Sequence, residues 1–132
     1  MSALHSTDAP RGVEQTYFNS LAQGVWRVPR CGSCGQAVFY PRQICPHCGG
    51  AHFDWFEPSG RGVIYSITTI RRSAEAGGDY NVCLVDLEEG FRMMSRVVDA
   101  PAALPRIGDA VCAVVRPNDD ANRVVFSLDD QA

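Results

Sequence analysis

The spacing of apolar residues changes once along the chain, from a helical period to a strand period. Near the start, four apolar residues recur at intervals that place them on one helix face: Val13, Tyr17, Phe18 and Leu21. Gly24 is a natural stop for that helix. The pattern predicts a helix over residues 11–23. The preceding residues 1–9 are small and polar with nothing to bury, so we expect them to be disordered.

Beyond residue 62 the apolar pattern is that of short strands rather than helices. Five runs rich in β-branched or aromatic residues are bounded by Gly, Pro, Asp or Asn: residues 63–72, 80–87, 91–98, 110–116 and 123–128. A Glu-Glu-Gly hairpin joins the second run to the third, and a two-proline connection, residues 99–109, predicts no helix before the fourth. This arrangement predicts a small five-stranded Greek-key barrel of the OB type, with a β-sandwich fragment as the alternative.

Cysteine spacing identifies a metal site between the helix and the strands. Two Cys-x-x-Cys-Gly sequences are separated by ten residues, and their thiols are the predicted ligands: Cys31, Cys34, Cys45 and Cys48. Four thiolates saturate one tetrahedral zinc ion and leave no position for a catalytic water, so the site is structural. A rubredoxin-type iron site, two disulfides or a redox dithiol are the alternatives. Short extended pieces are expected at residues 25–28, 37–40 and 53–57 of this module.

Composition narrows the possible functions. The 132 residues carry a net charge of −3, and all 12 basic residues are arginine, which excludes lysine Schiff-base chemistry. The acidic balance gives no general attraction to nucleic acid or an anionic membrane. Since no apolar run approaches the ~20 residues that span a bilayer, we expect no membrane segment. Paired and isolated cysteines, rather than a disulfide framework, favour a reducing cytoplasm.

Evidence for catalysis is weak. Cys83 and Cys112 stand alone in apolar runs, where a cysteine is usually a buried small hydrophobe. The carboxylates at residues 86, 88 and 89 belong to a solvated hairpin tip, and no nucleophile and base share a recognisable arrangement. We therefore predict that the chain is not an enzyme.

Two features are candidates for contact with a partner. The apolar helix face, followed by Trp26, is either ordinary core or a docking surface, and we expect docking because ribbon and barrel leave the helix little to cover. Arg71 and Arg72 end the first strand run and could meet phosphates, although a solvated strand end is the preferred interpretation.

The order of several short segments resembles the zinc-ribbon OB-fold proteins associated with acyl-CoA enzymes. The matching segments are residues 31–35 (CGSCG), 40–48 (YPRQICPHC), 60–66 (GRGVIYS), 85–90 (VDLEEG) and 107–111 (IGDAV). The resemblance implies a rubredoxin-like zinc ribbon followed by an OB-fold domain, with divisions at residues 1–24, 25–58 and 59–132. The chain departs from the family pattern in having Asp79 before Tyr80 and no proline after Phe126.

What the resemblance implies is a non-catalytic accessory subunit. Members look like scaffolds that dock on thiolase-superfamily enzymes, including acyl-condensing enzymes and steroid-type aldolases, and some line a shared coenzyme A channel. We therefore expect a thiolase-like partner, a contribution to binding acyl-CoA, and self-association when the partner is absent. The alternative from another class is a nucleic-acid-binding module, because zinc ribbons and OB barrels both occur there.

Overall fold

The computed structural model describes residues 12–118 and 121–129. Within these residues one α-helix, α1, spans Gly12–Ala22, as the sequence predicts, and a short 3-10 helix spans Ala74–Ala76. Eight strands follow α1 in chain order: β1 Val28–Cys31, β2 Phe53–Phe56, β3 Arg61–Ile70, β4 Tyr80–Leu87, β5 Arg92–Ser95, β6 Val97–Val98, β7 Ala110–Asn118 and β8 Ala121–Leu128. The expected disorder of residues 1–9 lies outside the described residues. Among the described helices, none is long and apolar enough to cross a membrane.

The cysteine module contains a two-stranded antiparallel sheet. β1 pairs with β2 so that Cys31 lies opposite Phe53 and Val28 opposite Phe56. Of the extended piece expected at residues 25–28, only Val28 belongs to a strand, because the amide of Val25 donates to the helix carbonyl of Ser20 at 2.9 Å and pairing starts at residue 28. The predicted piece at 37–40 is reduced to a single bridge between residues 30 and 37.

The remaining six strands form one sheet in the order β5-β4-β3-β7-β8-β6. The two outer strands, β5 and β6, are separated in sequence by Arg96 alone. The sheet therefore curls until its two edges meet in one bent segment, and β6 pairs with β8 in parallel. This is the predicted OB architecture, although as a hydrogen-bonded ladder the barrel is not continuously closed.

The predicted third run, residues 91–98, is divided in two by its change of partner. Its first part pairs with β4, where Met93 lies opposite Val85. At Arg96 the segment leaves β4, and the carbonyl of Arg96 accepts a hydrogen bond from the amide of Phe126 in β8 at 2.9 Å. One strand thus serves two neighbours, which a hydrophobic pattern does not reveal.

One hydrophobic core runs through the helix, the cysteine module and the barrel. Its buried members come from all three: Tyr17, Leu21, Trp26, Val28, Ala37, Ile64, Cys83, Val85, Leu87, Phe91, Met93, Val97, Val111, Val124 and Phe126. The rings of Trp26 and Phe91 meet edge to face with centroids 6.0 Å apart. Packing therefore holds the cysteine module on the sheet.

The helix belongs to this core, so the expectation that it has little of its own chain to cover is wrong. Tyr17 and Leu21 are only 4% and 2% exposed. The side-chain amide of Asn122, in β8, also donates to the carbonyl of Leu21 at 2.6 Å. Of the predicted docking face, Phe18 is the large side chain that stays exposed, at 43%.

Candidate metal centre and adjoining groove

Two similar backbone turns bring the four paired cysteines together. In the first, the amide of Gly35 donates to the carbonyl of Cys31 at 2.9 Å, and in the second, the amide of Gly49 donates to the carbonyl of Cys45 at 2.8 Å. Both glycines have positive φ angles, 78° and 81°, which glycine adopts without a steric penalty. The glycine after each Cys-x-x-Cys sequence is therefore what lets each turn close.

The four sulfurs form a compact group with the dimensions of a tetrahedral metal site. Cys31 Sγ lies 3.5 Å from Cys48 Sγ, and Cys34 Sγ lies 3.7 Å from Cys45 Sγ. All four ligand atoms lie within 4.8 Å of one another. Since Zn–S bonds are about 2.3 Å long, the sulfurs of a tetrahedral site are about 3.8 Å apart. The arrangement could hold one metal ion.

Backbone amides point at the two buried sulfurs. The amide of Ser33 lies 3.4 Å from Cys31 Sγ, and the amide of His47 lies 3.4 Å from Cys45 Sγ. Such N–H groups stabilise negative charge on sulfur. The other two cysteines, Cys34 and Cys48, are exposed, so the centre lies at the surface of the module.

The thiols of the cluster differ in their tendency to ionise. A hydrogen bond from the backbone of Cys34 is the main cause that lowers the pKa of Cys31 to about 6. The backbone of Gly50 acts in the same direction on Cys48, but the neighbouring thiol of Cys31, burial and the remaining thiols raise the pKa of Cys48 to about 12. Four thiols this close cannot all ionise alone, whereas a bound divalent cation stabilises all four thiolates.

Close packing around the sulfurs leaves little room for other ligands. A Cβ atom at Gly50 would lie 3.2 Å from Cys31 Sγ and 3.0 Å from the hydroxyl of Ser33. His47 is exposed and outside the sulfur group, and the carbonyl of His52 accepts from the amide of Gly32 at 2.8 Å. The backbone groups of both histidines therefore support the turns, and neither side chain belongs to the group of four sulfurs.

A groove of about 770 Å³ lies between the helix, the cysteine module and the barrel. At the groove, β5 and β8 lie side by side but do not pair through their backbones. Instead, the hydroxyl of Ser95 in β5 donates a hydrogen bond to the carbonyl of Val124 in β8 at 2.8 Å. Part of its lining is apolar or aromatic: Tyr17, Phe18, Leu21, Phe39 and Tyr40. Burial raises the pKa of Tyr17 to about 12, so its hydroxyl stays neutral.

Arginine supplies the charged part of the groove. Four arginines line it, and none of its described lining residues is acidic: Arg92, Arg96, Arg116 and Arg123. Arg92 pairs with Asp86 and stacks on Tyr65, with its guanidinium carbon 3.5 Å from the ring centroid. Arg116 pairs with Asp99 through two nitrogen–oxygen contacts of 2.6 and 3.1 Å. Three of these arginines lie in different strands and Arg96 lies between β5 and β6, so sequence spacing alone does not reveal the group.

The arginines that the sequence did single out are held by their own loop. Arg71 pairs with Asp79 at 3.4 Å. Arg72 donates to the carbonyl of Gly78 at 3.0 Å and stacks on the ring of Tyr80 at 4.5 Å. Both arginines are exposed, follow the end of β3 directly and lie outside the groove.

The two isolated cysteines were both predicted to be buried, and they differ in how far they are. Cys83 is buried in the core, and burial raises the pKa of its thiol. Cys112 is only half-buried, and its pKa is also raised, first by burial and then by Asp129. A raised pKa keeps both thiols neutral, which is the opposite of what a cysteine nucleophile needs.

Comparison with known proteins places the chain in a family. Residues 18–54 match the family of the ChsH2 rubredoxin-like zinc ribbon domain, and residues 55–116 match that of the ChsH2 C-terminal OB-fold domain. The chain belongs to the ChsH2 zinc-ribbon and OB-fold family. With the four clustered cysteines, this membership is consistent with one bound zinc ion.

Relatives in this family carry names that refer to scaffolds and to a CoA enzyme. A DUF35 domain-containing scaffold protein of Methanocaldococcus jannaschii is 33% identical over 66% of this chain, and the match spans 64% of that relative. One of Methanothermobacter thermautotrophicus is 36% identical, over 66% of this chain and 68% of the relative. A probable enoyl-CoA hydratase alpha subunit of Thermomonospora curvata is 31% identical, over 62% of this chain and 26% of that protein.

Solved structures with the same fold include a chain of an enzyme complex. A chain of the structure called Ltp2-ChsH2(DUF35) aldolase is similar with a TM-score of 0.76 and 27% identity, covering 87% of this chain and 93% of that one. A DUF35 protein of unknown function from Sulfolobus solfataricus is similar with a TM-score of 0.61 and 16% identity, over 98% of this chain and 100% of that one, which concerns the fold alone.

Proposed function

We propose that this chain is a non-catalytic accessory subunit that docks on a thiolase-superfamily enzyme and contributes to binding its acyl-CoA. The observation that carries the proposal is the similarity, over 87% of the chain, to a chain of the Ltp2-ChsH2(DUF35) aldolase. Archaeal relatives named as scaffold proteins support the accessory role. The relative named as an enoyl-CoA hydratase subunit supports the link to CoA thioesters.

In this proposal the metal organises a surface. We assign Cys31, Cys34, Cys45 and Cys48 as the ligands of one zinc ion. Four thiolates occupy every coordination position of a tetrahedral ion. The metal therefore cross-links the two turns and has no position for a reactive water. We keep residues 1–24, 25–58 and 59–132 as the proposed functional divisions, and a reducing cytoplasm as the proposed compartment.

The absence of catalysis is part of the proposal. Both isolated cysteines have raised pKa values, so neither is a ready nucleophile. The hairpin carboxylate of Asp86 pairs with Arg92, which lowers its pKa and makes it a poor general acid. Purified chain should therefore show no turnover of acyl-CoA thioesters, and metal-clean activity of the chain alone would refute this part.

The partner can be identified by affinity purification from the native cell followed by mass spectrometry. We expect an enzyme of the thiolase superfamily at a stoichiometric ratio, and higher activity of that enzyme when the chain is added back. A Cys45→Ser chain, which should lose the folded ribbon, is the matched control and should recover less enzyme. Recovery of nucleic-acid-processing proteins in place of an acyl-CoA enzyme would favour the nucleic-acid-binding alternative instead.

A further inference from the structure

The four paired cysteines differ in how far solvent reaches them. Cys34 and Cys48, the second cysteine of each turn, are exposed. Cys31 and Cys45, the first cysteine of each turn, are only 1% and 2% exposed. Oxidation of a thiolate by a dissolved oxidant increases with its exposure. An oxidant from solvent therefore reaches the second cysteine of each turn before the first.

Each exposed sulfur lies beside a buried sulfur of the opposite turn. Cys34 Sγ is 3.7 Å from Cys45 Sγ, and Cys48 Sγ is 3.5 Å from Cys31 Sγ. A cysteine that has reacted with an oxidant condenses with a neighbouring thiol to form a disulfide. Disulfides closed at these two contacts would join the same two turns that the metal joins.

The buried sulfurs are shielded by their own module. Cys31 and Cys45 share a small buried cluster with Val38, against which Phe53 packs. Gly50 lies so close that a Cβ atom there would be 3.2 Å from Cys31 Sγ. An oxidant has little room on this side, so the two buried thiols are suited to the second step, the closure of a disulfide.

The two isolated cysteines lack both features. Cys83 is buried, Cys112 is half-buried, and neither belongs to the group of four sulfurs. Burial is the main cause that raises the pKa of both thiols, which keeps them neutral. A neutral thiol is a poor nucleophile towards a peroxide. The chain thus contains two cysteines that serve as internal controls for the exposed pair.

We infer that Cys34 and Cys48 are sites of reversible oxidation by a peroxide, which converts the cluster from a metal-linked form to a disulfide-linked form. The thiolate of Cys34 attacks one oxygen of hydrogen peroxide, so that an S–O bond forms and the O–O bond breaks. The departing hydroxide takes a proton and leaves as water. The thiolate of Cys45 then attacks Cys34 Sγ, the S–S bond forms, and the S–O bond breaks with loss of a second hydroxide, which also becomes water.

Cys48 and Cys31 react in the same way with a second peroxide. Each disulfide is a two-electron oxidation of two thiolates, and it reduces one peroxide to two waters with the uptake of two protons. Because a disulfide sulfur is no longer a thiolate ligand, each closure removes two ligands from the ion, and the metal is released. A dithiol reverses the change by thiol–disulfide exchange.

The inference rests on the proposed function for one point, the assignment of the four thiolates as ligands of one zinc ion. Its structural consequence is separate. Because the disulfides connect the two turns, the oxidised module stays folded without metal. Both tryptophans of the chain, Trp26 and Trp55, lie in this module, before β1 and in β2. Their fluorescence therefore reports on the module rather than on the barrel.

Peroxide treatment of the zinc-loaded full chain tests the inference. Hydrogen peroxide is added in the presence of a chromophoric zinc chelator, and a parallel sample contains dimedone to trap sulfenic acids. We expect release of the whole equivalent of zinc and dimedone adducts on Cys34 and Cys48 alone. Peptide mass spectrometry should find the disulfides Cys34–Cys45 and Cys31–Cys48. Dithiothreitol followed by zinc should restore the starting form, and a sample without peroxide should keep its zinc.

Matched samples separate the disulfide-linked form from simple loss of metal. Tryptophan emission of the oxidised, zinc-free chain should match that of the zinc-loaded chain, whereas removal of zinc from the reduced chain with EDTA should shift the emission to longer wavelength. Cys112→Ser should release zinc as the unaltered chain does. Absence of zinc before peroxide is added would refute the metal assignment and this inference with it. Zinc that is present but retained, or disulfides within each Cys-x-x-Cys sequence, would overturn the inference alone.

Discussion

The side chain of Asn81 and the backbone of Val97 form two reciprocal hydrogen bonds inside the barrel. Asn81 Nδ2 donates to the Val97 carbonyl at 3.2 Å, and Asn81 Oδ1 accepts from the Val97 amide at 2.7 Å. The same Nδ2 donates to the carbonyl of Ala102 at 3.1 Å. One buried amide therefore fixes both the point where the third predicted strand changes partner and the connection that follows it.

Replacing this residue should destabilise the barrel. Asn81→Ala leaves buried backbone groups of Val97 without partners, and each unpaired group costs about 1–3 kcal/mol. We expect a loss of at least about 2 kcal/mol in the free energy of unfolding, measured by urea denaturation. The control is Asn19→Ala, whose exposed side chain accepts a hydrogen bond from the exposed side chain of Gln15 at 3.0 Å and whose loss should change stability by less than about 0.5 kcal/mol. Equal effects of the two variants would contradict the role of Asn81.

Zinc content gives the second prediction. Elemental analysis of purified chain should find one equivalent of zinc, and Cys31→Ser should abolish it. The ribbon should then unfold, and Phe91 of the barrel should lose its packing contacts with the rings of Trp26 and Phe39. Cys112→Ser is the control, because Cys112 lies in β7 outside the sulfur group, and it should retain the metal. A folded, thiol-reduced sample without metal would refute the assignment.

The sequence predicts the elements of this fold well because each carries a local signal. The helix has one apolar stripe, and the turns around the sulfurs need a glycine at a fixed position. The hydrophobic pattern does not show which strands pair when they are distant in sequence. The partner change at Arg96 depends on Phe126, thirty residues later, and no local period encodes it.

The metal site could be predicted from local sequence, whereas the groove could not. The two Cys-x-x-Cys pairs predict the metal site directly, because its ligands are close together in the sequence. The arginines of the groove are distant in sequence: Arg92 and Arg96 lie on the segment of β5 and β6, whereas the β7–β8 register places Arg116 opposite Arg123. The adjacent pair Arg71 and Arg72 is easy to recognise in the sequence as a candidate phosphate site. In the structure, however, Arg71 forms an ion pair with Asp79, and Arg72 stacks on the ring of Tyr80.

Two neighbouring aromatic residues of the helix should behave differently on truncation. Tyr17 is 4% exposed and Phe18 is 43% exposed. Tyr17→Ala should lower the free energy of unfolding by about 3 kcal/mol, because it leaves a cavity in the shared core. Phe18→Ala should lower it by less than about 1 kcal/mol. Urea denaturation of both variants measures this, and equal losses would mean that the helix does not pack as described.

The last prediction concerns the ion pair on the outer face of β4 and β5. The guanidinium of Arg92 hydrogen-bonds the carboxylate of Asp86 and lowers its pKa below the ordinary value. A carboxyl with a depressed folded pKa contributes stability above the ordinary range near pH 4, and the contribution is lost as pH falls through the folded pKa. Arg92→Gln should return the pKa of Asp86 towards the ordinary value.

Carboxyl ¹³C NMR titration between about pH 2 and 6 can follow Asp86 directly, since its ordinary pKa is about 3.9. Asp99 serves as the internal control, because its pKa is lowered by a different arginine, Arg116, and should not move in the Arg92→Gln chain. The reverse variant, Arg116→Gln, should raise the pKa of Asp99 and leave Asp86 unchanged. Movement of both carboxyls in either variant would show that the two ion pairs are one network, and Arg92 and Arg116 would then not be independently paired residues of the groove.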